Sequence, residues 1–107
     1  MPKYLLQGSY SSGGVQGLVK DGGGTSRVKA VKELLKSVGG KLESFYFTFG
    51  DTDYCIVVDL PDNTAAAALG LTVGGSGAVA NKTTVLLTPE EIDEAVTKNP
   101  HYRPPGK

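Results

Sequence analysis

The sequence predicts an α+β domain in which the long helices cover one face of an antiparallel sheet. In the stretch Lys41 to Leu60, bulky apolar residues alternate in two runs that are separated by the turn-forming segment 50–53, as in a β-hairpin. In segment 28–38 the apolar residues recur at the three-four spacing of an amphipathic helix. Such strand-like and helix-like segments follow one another along 107 residues, the length of one domain with a single modest core.

The hairpin is expected to supply the covered face of the sheet. If its turn closes symmetrically, Phe49 pairs with Tyr54, Phe47 with Ile56, and Phe45 with Val58, so that the bulky groups share one face. The helix at 28–38 should lie on this phenylalanine face. The opposite face would carry a mixture of polar and apolar residues, namely Ser44, Tyr46, Thr48, Cys55, Val57 and Asp59.

The N-terminal part of the chain predicts a strand and two helical pieces. Lys3 to Tyr10 alternates as a strand, and the hydroxyl residues Ser11 and Ser12 mark a helix start. Three glycines, 22–24, interrupt the helical region, and Gly39 with Gly40 ends it, since glycine tolerates the positive φ found at helix ends.

The C-terminal part predicts a helix, a strand and a short final helix. Residues 61–63 form a turn and cap, Thr64 to Val73 a helix rich in alanine, and Lys82 to Leu87 the fourth strand. Thr88, Pro89 and Glu91 then make a strong helix-start signal with a capping box. We expect a domain over residues 1–97, followed by an extended tail over 98–107.

This order of elements is the split βαβ, ferredoxin-like plan, βαββαβ plus a short C-terminal helix. Right-handed crossovers place both long helices on one face and leave the other face bare. That bare face offers Leu5, Tyr46, Cys55 and Val57, more apolar surface than a small sheet usually exposes. The sequence therefore predicts self-association, as a homodimer or a higher homo-oligomer.

Composition excludes several classes of partner. The 11 basic and 11 acidic residues give a net charge of zero, so no overall field attracts nucleic acid. No apolar run approaches the roughly 18 residues of a membrane span, and the N-terminus shows no signal peptide. The single cysteine, Cys55, cannot form an internal disulfide, which favours a cytoplasmic location.

Taken together, several motifs resemble those of the GYD-domain proteins. They are KYLLQGSY, the segment from Gly13-Gly14 to Gly17-Leu18, Arg27, the Gly39-Gly40 stop, SFYFTFGDTDY, VDLPDN with its alanine-rich helix, and LLTPEEID. The resemblance implies a dimeric α+β barrel fold and a small, soluble, mostly bacterial protein that self-associates and whose biochemical role is not established. The naming motif is Gly-Tyr-Asp; this chain instead has Gly50, Asp51, Thr52 and Asp53, with Tyr54 close by.

Four sets of residues are candidates for chemistry, and each has a simpler structural interpretation. Asp51 and Asp53 could act as paired carboxylates, although aspartates are also common turn residues. His101 could act as a base or ligand, although it lies in the predicted tail and has no partner at zinc-ligand spacing. Cys55 could be a nucleophile, although free cysteine commonly packs as a small hydrophobe. We predict no metal and no cofactor.

The fourth set is the glycine-rich segment 22–26 with Arg27. Backbone N–H groups at a helix start, two hydroxyls and a guanidinium could cradle a carboxylate or phosphate. The segment lacks the ending of a nucleotide P-loop, and a flexible break with a capped restart is the simpler interpretation. Tyr10 and Lys20, near the same sheet end, could complete a small anionic or phenolic pocket.

The leading hypothesis is a self-associating binding protein for a modest organic ligand, with Tyr10, Lys20, Arg27, Tyr46 and His101 as candidate contacts. One alternative is a cofactor-independent monooxygenase or isomerase-type enzyme, by analogy of fold alone. There Tyr10, Tyr46, Arg27 or His101 would converge on one cavity. Another alternative is a structural assembly subunit.

Overall fold

Helices and strands follow one another in the predicted order. A computed structural model describes all 107 residues, Met1 to Lys107. The elements are β1 (Lys3–Tyr10), α1 (Ser12–Lys20), α2 (Gly24–Ser37), β2 (Lys41–Phe47), β3 (Tyr54–Asp59), α3 (Asn63–Gly75), β4 (Val79–Leu86) and α4 (Pro89–Lys98).

The four strands form one antiparallel sheet in the order β2-β3-β1-β4. With α1 and α2 in the first crossover and α3 in the second, this is the ferredoxin-like α+β plan that the sequence predicts. The central strands are β3 and β1, so the ends of these two strands can bring distant parts of the chain together.

Local capping explains where the helices begin and end. The Ser11 side chain accepts a hydrogen bond from the Gly14 N–H of α1, and the Asp62 side chain accepts one from the Ala65 N–H of α3. Thr88 and Glu91 form the predicted capping box of α4. After α2, Gly39 has a φ of 77°, which is the left-handed conformation that glycine adopts without strain.

The hairpin register differs from the symmetric prediction by two residues. Phe47 pairs with Tyr54 and Phe45 with Ile56, and a bulge lies between Leu42 and Ser44. Because side chains alternate with a period of two, this shift leaves Phe45 and Phe47 on the predicted face. Phe49, however, lies beyond the strand and is 100% exposed, so its predicted place on the covered face is wrong.

Bonds to the neighbouring strand β1 explain the shifted register. The Asp53 N–H donates to the Gly8 carbonyl oxygen at 2.7 Å, and the Thr48 N–H donates to the Asp53 carbonyl oxygen at 2.8 Å. These bonds hold segment 48–53 as a wide loop and end β2 at Phe47. Pairing with β1 likewise begins β4 at Val79, opposite Tyr10, rather than at Lys82.

The hydrophobic core lies between α2, α3 and one face of the sheet. Helix α2 contributes Val31 and Leu35, and helix α3 contributes Ala66 and Leu69. The other buried members come from the sheet face and its edge: Tyr4, Tyr54, Ile56, Val58, Leu60 and Val79. The long helices therefore cover one face, as predicted.

The opposite sheet face is not covered by any helix of the same chain. Leu5 and Val57 on its central strands are only half-buried, and Tyr46 is 68% exposed. At one end of this face, Lys3 forms ion pairs with Glu43 and Asp59, each at 2.9 Å. Hydrogen bonds to these two carboxylates raise the pKa of Lys3, and the bond to Asp59 has the larger effect.

Helix α4 and the following tail extend away from the body of the domain. No residue of α4 is buried, and the predicted apolar side of this helix is open, with Ile92 48% and Val96 73% exposed. The radius of gyration is 17.0 Å, against about 13 Å for a compact domain of this length. None of the helices is both long and apolar enough to span a membrane.

Candidate functional site

An apolar cleft opens between the sheet and the two helices α2 and α3. Its volume is about 40 Å³, roughly three times the 10–15 Å³ that one water molecule requires. Of its 13 lining residues 11 are hydrophobic; the full lining is Leu6, Tyr10, Arg27, Val31, Leu34, Leu35, Phe45, Tyr54, Ile56, Leu69, Val73, Val79 and Asn81. A small hydrophobic group is the kind of occupant that such a lining favours.

A wider groove, of about 220 Å³, lies beside the cleft along α1. Tyr10 and Arg27 line both spaces. The remaining groove residues are Gly13, Gly14, Gly17, Leu18, Asp21 and Ala78. The cleft and the groove therefore meet at Tyr10 and Arg27, which join a narrow apolar space to a wider and more polar one.

Tyr54 crosses the central strand β1 and lines the cleft. Gly8 on β1 is opposite Tyr54 on β3 and also opposite Asn81 on β4. The Tyr54 hydroxyl donates a hydrogen bond to Asn81 Oδ1. A Cβ atom at position 8 would lie 2.5 Å from Tyr54 Oη, so only glycine at this position leaves room for the phenol to reach β4.

The environment of Tyr54 keeps its phenol protonated. Burial raises the pKa of Tyr54 to about 12, and the nearby Tyr10 contributes in the same direction, while Arg27 opposes both effects. The ring centroids of Tyr10 and Tyr54 are 5.7 Å apart. At neutral pH the Tyr54 hydroxyl is therefore protonated, and it donates its hydrogen bond to Asn81 Oδ1.

Arg27 and the Tyr10 hydroxyl are the polar groups of the cleft that have no partner within the chain. The ion pairs of this protein join Lys3 to Glu43 and Asp59, and Lys98 to Glu94. Arg27 is half-buried in the first turns of α2 and is absent from these pairs. Its guanidinium nitrogens stay accessible to solvent, so a ligand that enters the cleft can pair with them, and Arg27 is the strongest candidate contact.

The structure brings together only two of the five predicted contact residues. Tyr10 and Arg27 share the boundary between cleft and groove. Lys20 is exposed at the end of α1 and lines neither space, Tyr46 lies on the uncovered sheet face, and His101 is exposed in the tail beyond α4. Within one chain, therefore, the other three do not converge with them.

Two cleft residues, Tyr54 and Asn81, were not predicted as contacts. Tyr54 was expected to belong to the covered apolar face, and nothing in its local sequence indicates that its hydroxyl reaches another strand. Asn81 precedes the predicted start of the fourth strand at Lys82, so the pattern did not place it on the sheet at all. Its position follows from the pairing of β4 with β1.

The hydroxyls of the glycine-rich segment 22–26 do not converge with Arg27 on the cleft. Thr25 and Ser26 are exposed and line neither space, whereas Arg27 lines the cleft. Gly23 caps α2 with a φ of 103° and without a side-chain hydrogen bond. A Cβ atom on Gly24 would lie 3.0 Å from the Phe47 ring. These glycines therefore serve a tight turn and a close approach of α2 to β2.

The carboxylate of Asp53 bonds to strand β1 rather than to its own turn. One oxygen of its carboxylate accepts a hydrogen bond from the Tyr10 N–H at 2.9 Å, and its own N–H is bonded to Gly8. The carbonyl oxygen of Asp51 accepts a hydrogen bond from the Ser9 hydroxyl at 3.3 Å. The loop that carries both aspartates is thereby tied to the end of β1, where Tyr10 enters the cleft.

Comparison with known proteins identifies the family of this chain. The family model described as the GYD domain matches residues 4–96, which is most of the sequence. Searches of curated proteins and of solved structures found no match. On the evidence of this family match, which agrees with the motifs noted in the sequence, the chain belongs to the GYD domain family.

Proposed function

We propose that this protein binds a small organic ligand in the cleft between the sheet and helices α2 and α3, and that it does so as a self-associated cytoplasmic protein. The observation that carries the proposal is an apolar cleft bounded by Arg27 and the Tyr10 hydroxyl, neither of which has a partner within the chain. Ligand sites characteristically combine a hydrophobic lining with a few polar groups that orient the ligand.

The side chains of the cleft favour binding over proton-transfer catalysis. A general base at neutral pH needs a pKa near the working pH. The pKa of Tyr54 is about 12, so this phenol keeps its proton, and the guanidinium of Arg27 is permanently charged. His101, the only histidine, lies in the tail outside the cleft. These groups can orient a ligand and donate hydrogen bonds to it.

Self-association is supported by two surfaces that the chain leaves uncovered. Leu5, Val57 and Leu86 lie on the bare sheet face and are half-buried, not fully buried, although they belong to paired strands. Helix α4 exposes Ile92 and Val96, and a helix of only 10 residues is marginal without packing. A second copy would cover apolar surface that otherwise faces water.

The cytoplasmic location is supported by the state of the only cysteine. Cys55 is a free, half-buried thiol on the bare sheet face. A free thiol persists most readily in a reducing compartment.

Native mass spectrometry of the protein purified from its own cells tests both parts of the proposal. We expect an assembly of more than one chain that carries a small organic molecule. Leu34→Trp, which places an indole in the cleft, should remove the bound mass and leave the subunit number unchanged. Lys32→Trp is the matched control, because residue 32 is exposed on the same helix. A monomer without bound mass, and without a thermal shift on addition of small organic compounds, would refute the proposal.

A further inference from the structure

We infer that the ligand of the cleft is a short aliphatic monocarboxylate, whose carboxylate is held by Arg27 and the Tyr10 hydroxyl and whose hydrocarbon end lies in the cleft. This inference rests on the proposed function, because it names the chemical class that the same cleft would bind. Three independent features define that class: the free hydrogen-bonding groups, the charges near them and the size of the cleft.

The free hydrogen-bonding groups require a ligand that accepts hydrogen bonds. Arg27 can only donate, and its guanidinium is unpaired in the chain. The Tyr10 hydroxyl also has a proton to donate. The amide oxygen of Asn81, an acceptor in the cleft lining, is already bonded to the Tyr54 hydroxyl. A carboxylate suits this arrangement better than a neutral phenol, since its two oxygens match the fork of a guanidinium in charge-assisted bonds.

The charges around Arg27 favour a single negative charge on the ligand. Arg27 is the only cationic residue that lines the cleft or the groove. Asp21 lines the same groove as Arg27, and the Asp53 carboxylate is bonded to the backbone of Tyr10. A phosphate monoester or a dicarboxylate would bring a second negative charge toward these two acids, and like charges repel at short range.

The size of the cleft limits the hydrocarbon end. A volume of about 40 Å³ corresponds to about three water-sized groups at 10–15 Å³ each. A body of about three or four carbon atoms fills that space, on the same measure. Butyrate and isovalerate are acids of this size. A fatty-acid chain or a fused ring system exceeds the cleft unless α2 and α3 separate.

Isothermal titration calorimetry on the full chain tests the inference with defined probes. We use isovalerate, the neutral isostere 3-methylbutan-1-ol, octanoate, glutarate and inorganic phosphate. Isovalerate should bind at least about tenfold more tightly than the alcohol, because a charge-assisted hydrogen bond is worth at least the equivalent of one factor of ten. It should also bind more tightly than octanoate, whose chain is too long for the cleft, and than glutarate and phosphate, which bring a second negative charge toward Asp21 and Asp53. Equal binding of octanoate, glutarate or phosphate would overturn the assigned size or charge.

Variants locate the carboxylate. Arg27→Gln should weaken isovalerate binding by about tenfold or more and leave the binding of the neutral alcohol unchanged. Lys29→Gln is the matched control, because it removes one positive charge from the exposed face of the same helix and should change neither affinity. Tyr10→Phe removes only one hydroxyl and should weaken isovalerate binding without loss of melting temperature, so the test survives if Arg27→Gln does not fold.

Different results would contradict the ligand class and the binding of a ligand in the cleft. If the alcohol binds as tightly as isovalerate and Arg27→Gln has no effect, the carboxylate assignment is wrong, while binding in the cleft stands. If isovalerate fails but another class of organic molecule co-purifies and is displaced by Leu34→Trp, the ligand class is again wrong and the proposed function stands. If no organic molecule binds at all, the proposed function itself is wrong.

Discussion

Gly8→Ala is predicted to destabilise the protein because the missing side chain at position 8 is what lets Tyr54 cross β1. The new Cβ would lie 2.5 Å from Tyr54 Oη and closer still to the Ala80 carbonyl oxygen of β4. Both contacts are shorter than real Cβ atoms tolerate, and one of the two atoms belongs to the backbone. The phenol must therefore swing out, or β4 must move away from β1.

Two costs set the expected magnitude. Overpacking a well-filled interior costs about 1–3 kcal/mol, and loss of the bond between Tyr54 and Asn81 costs about 1 kcal/mol. The free energy of unfolding should fall by about 2–4 kcal/mol, the sum of these terms. That is a large part of the roughly 5–15 kcal/mol typical of a domain.

Urea denaturation, followed by far-ultraviolet circular dichroism at a fixed protein concentration, measures this change. Gly70→Ala is the matched control, because no atom lies within 4 Å of a Cβ built at that position in α3. There alanine should raise stability by about 0.5–1 kcal/mol through its higher helix propensity. If Gly8→Ala stays within about 0.5 kcal/mol of the wild type, the size of an ordinary surface change, then Tyr54 does not cross the sheet at Gly8.

Two further predictions concern the phenol of Tyr54 and the bare sheet face. Because the pKa of Tyr54 rises from 10.0 to about 12 on folding, its stabilising contribution is complete below pH 10 and is lost as the pH rises toward 12. Urea unfolding across this range should show that the free energy of unfolding falls as the pH rises. Tyr54→Phe should reduce this dependence on pH. A dependence that is unchanged in the variant would contradict the pKa assignment. Val57→Lys should convert the assembly to monomers in analytical ultracentrifugation, because it places a charge on the uncovered sheet face. Ala67→Lys, on the exposed side of α3, is the control and should leave the assembly intact. An assembly unaffected by Val57→Lys would exclude this face as the interface.

Much of the fold could be predicted because its signals are local. The caps at Ser11 and Thr88 involve atoms within three residues of each other along the chain. The face of Phe45 follows from side-chain alternation, which survives the two-residue change of register. Phe49 was misplaced because the end of β2 depends on the bonds that tie Asp53 to Gly8 and Tyr10, residues more than forty positions away.

The candidate site could be predicted only in part. The sequence predicts Tyr10 and Arg27 at the same end of the sheet because a strand end and a following helix lie close together in a crossover. Asn81 joins them only through the pairing of β4 with β1, which no local pattern reveals. Tyr46 and His101 share only a residue type suited to ligand contacts: Tyr46 lies on the other sheet face, as its alternation already predicts, and α4 carries His101 away from the cleft.

Hydrophobic periodicity and capping residues, read along the chain alone, establish the order of the elements and the face of the sheet that meets the helices, because both depend on neighbours within a few positions. The close packing of three strands at Gly8 joins Tyr54 to Asn81 in the lining of a cleft that also contains the unpaired Arg27, and it emerges only from the folded molecule. Such contacts join residues that are far apart along the chain, and their geometry depends on the pairing of the whole sheet.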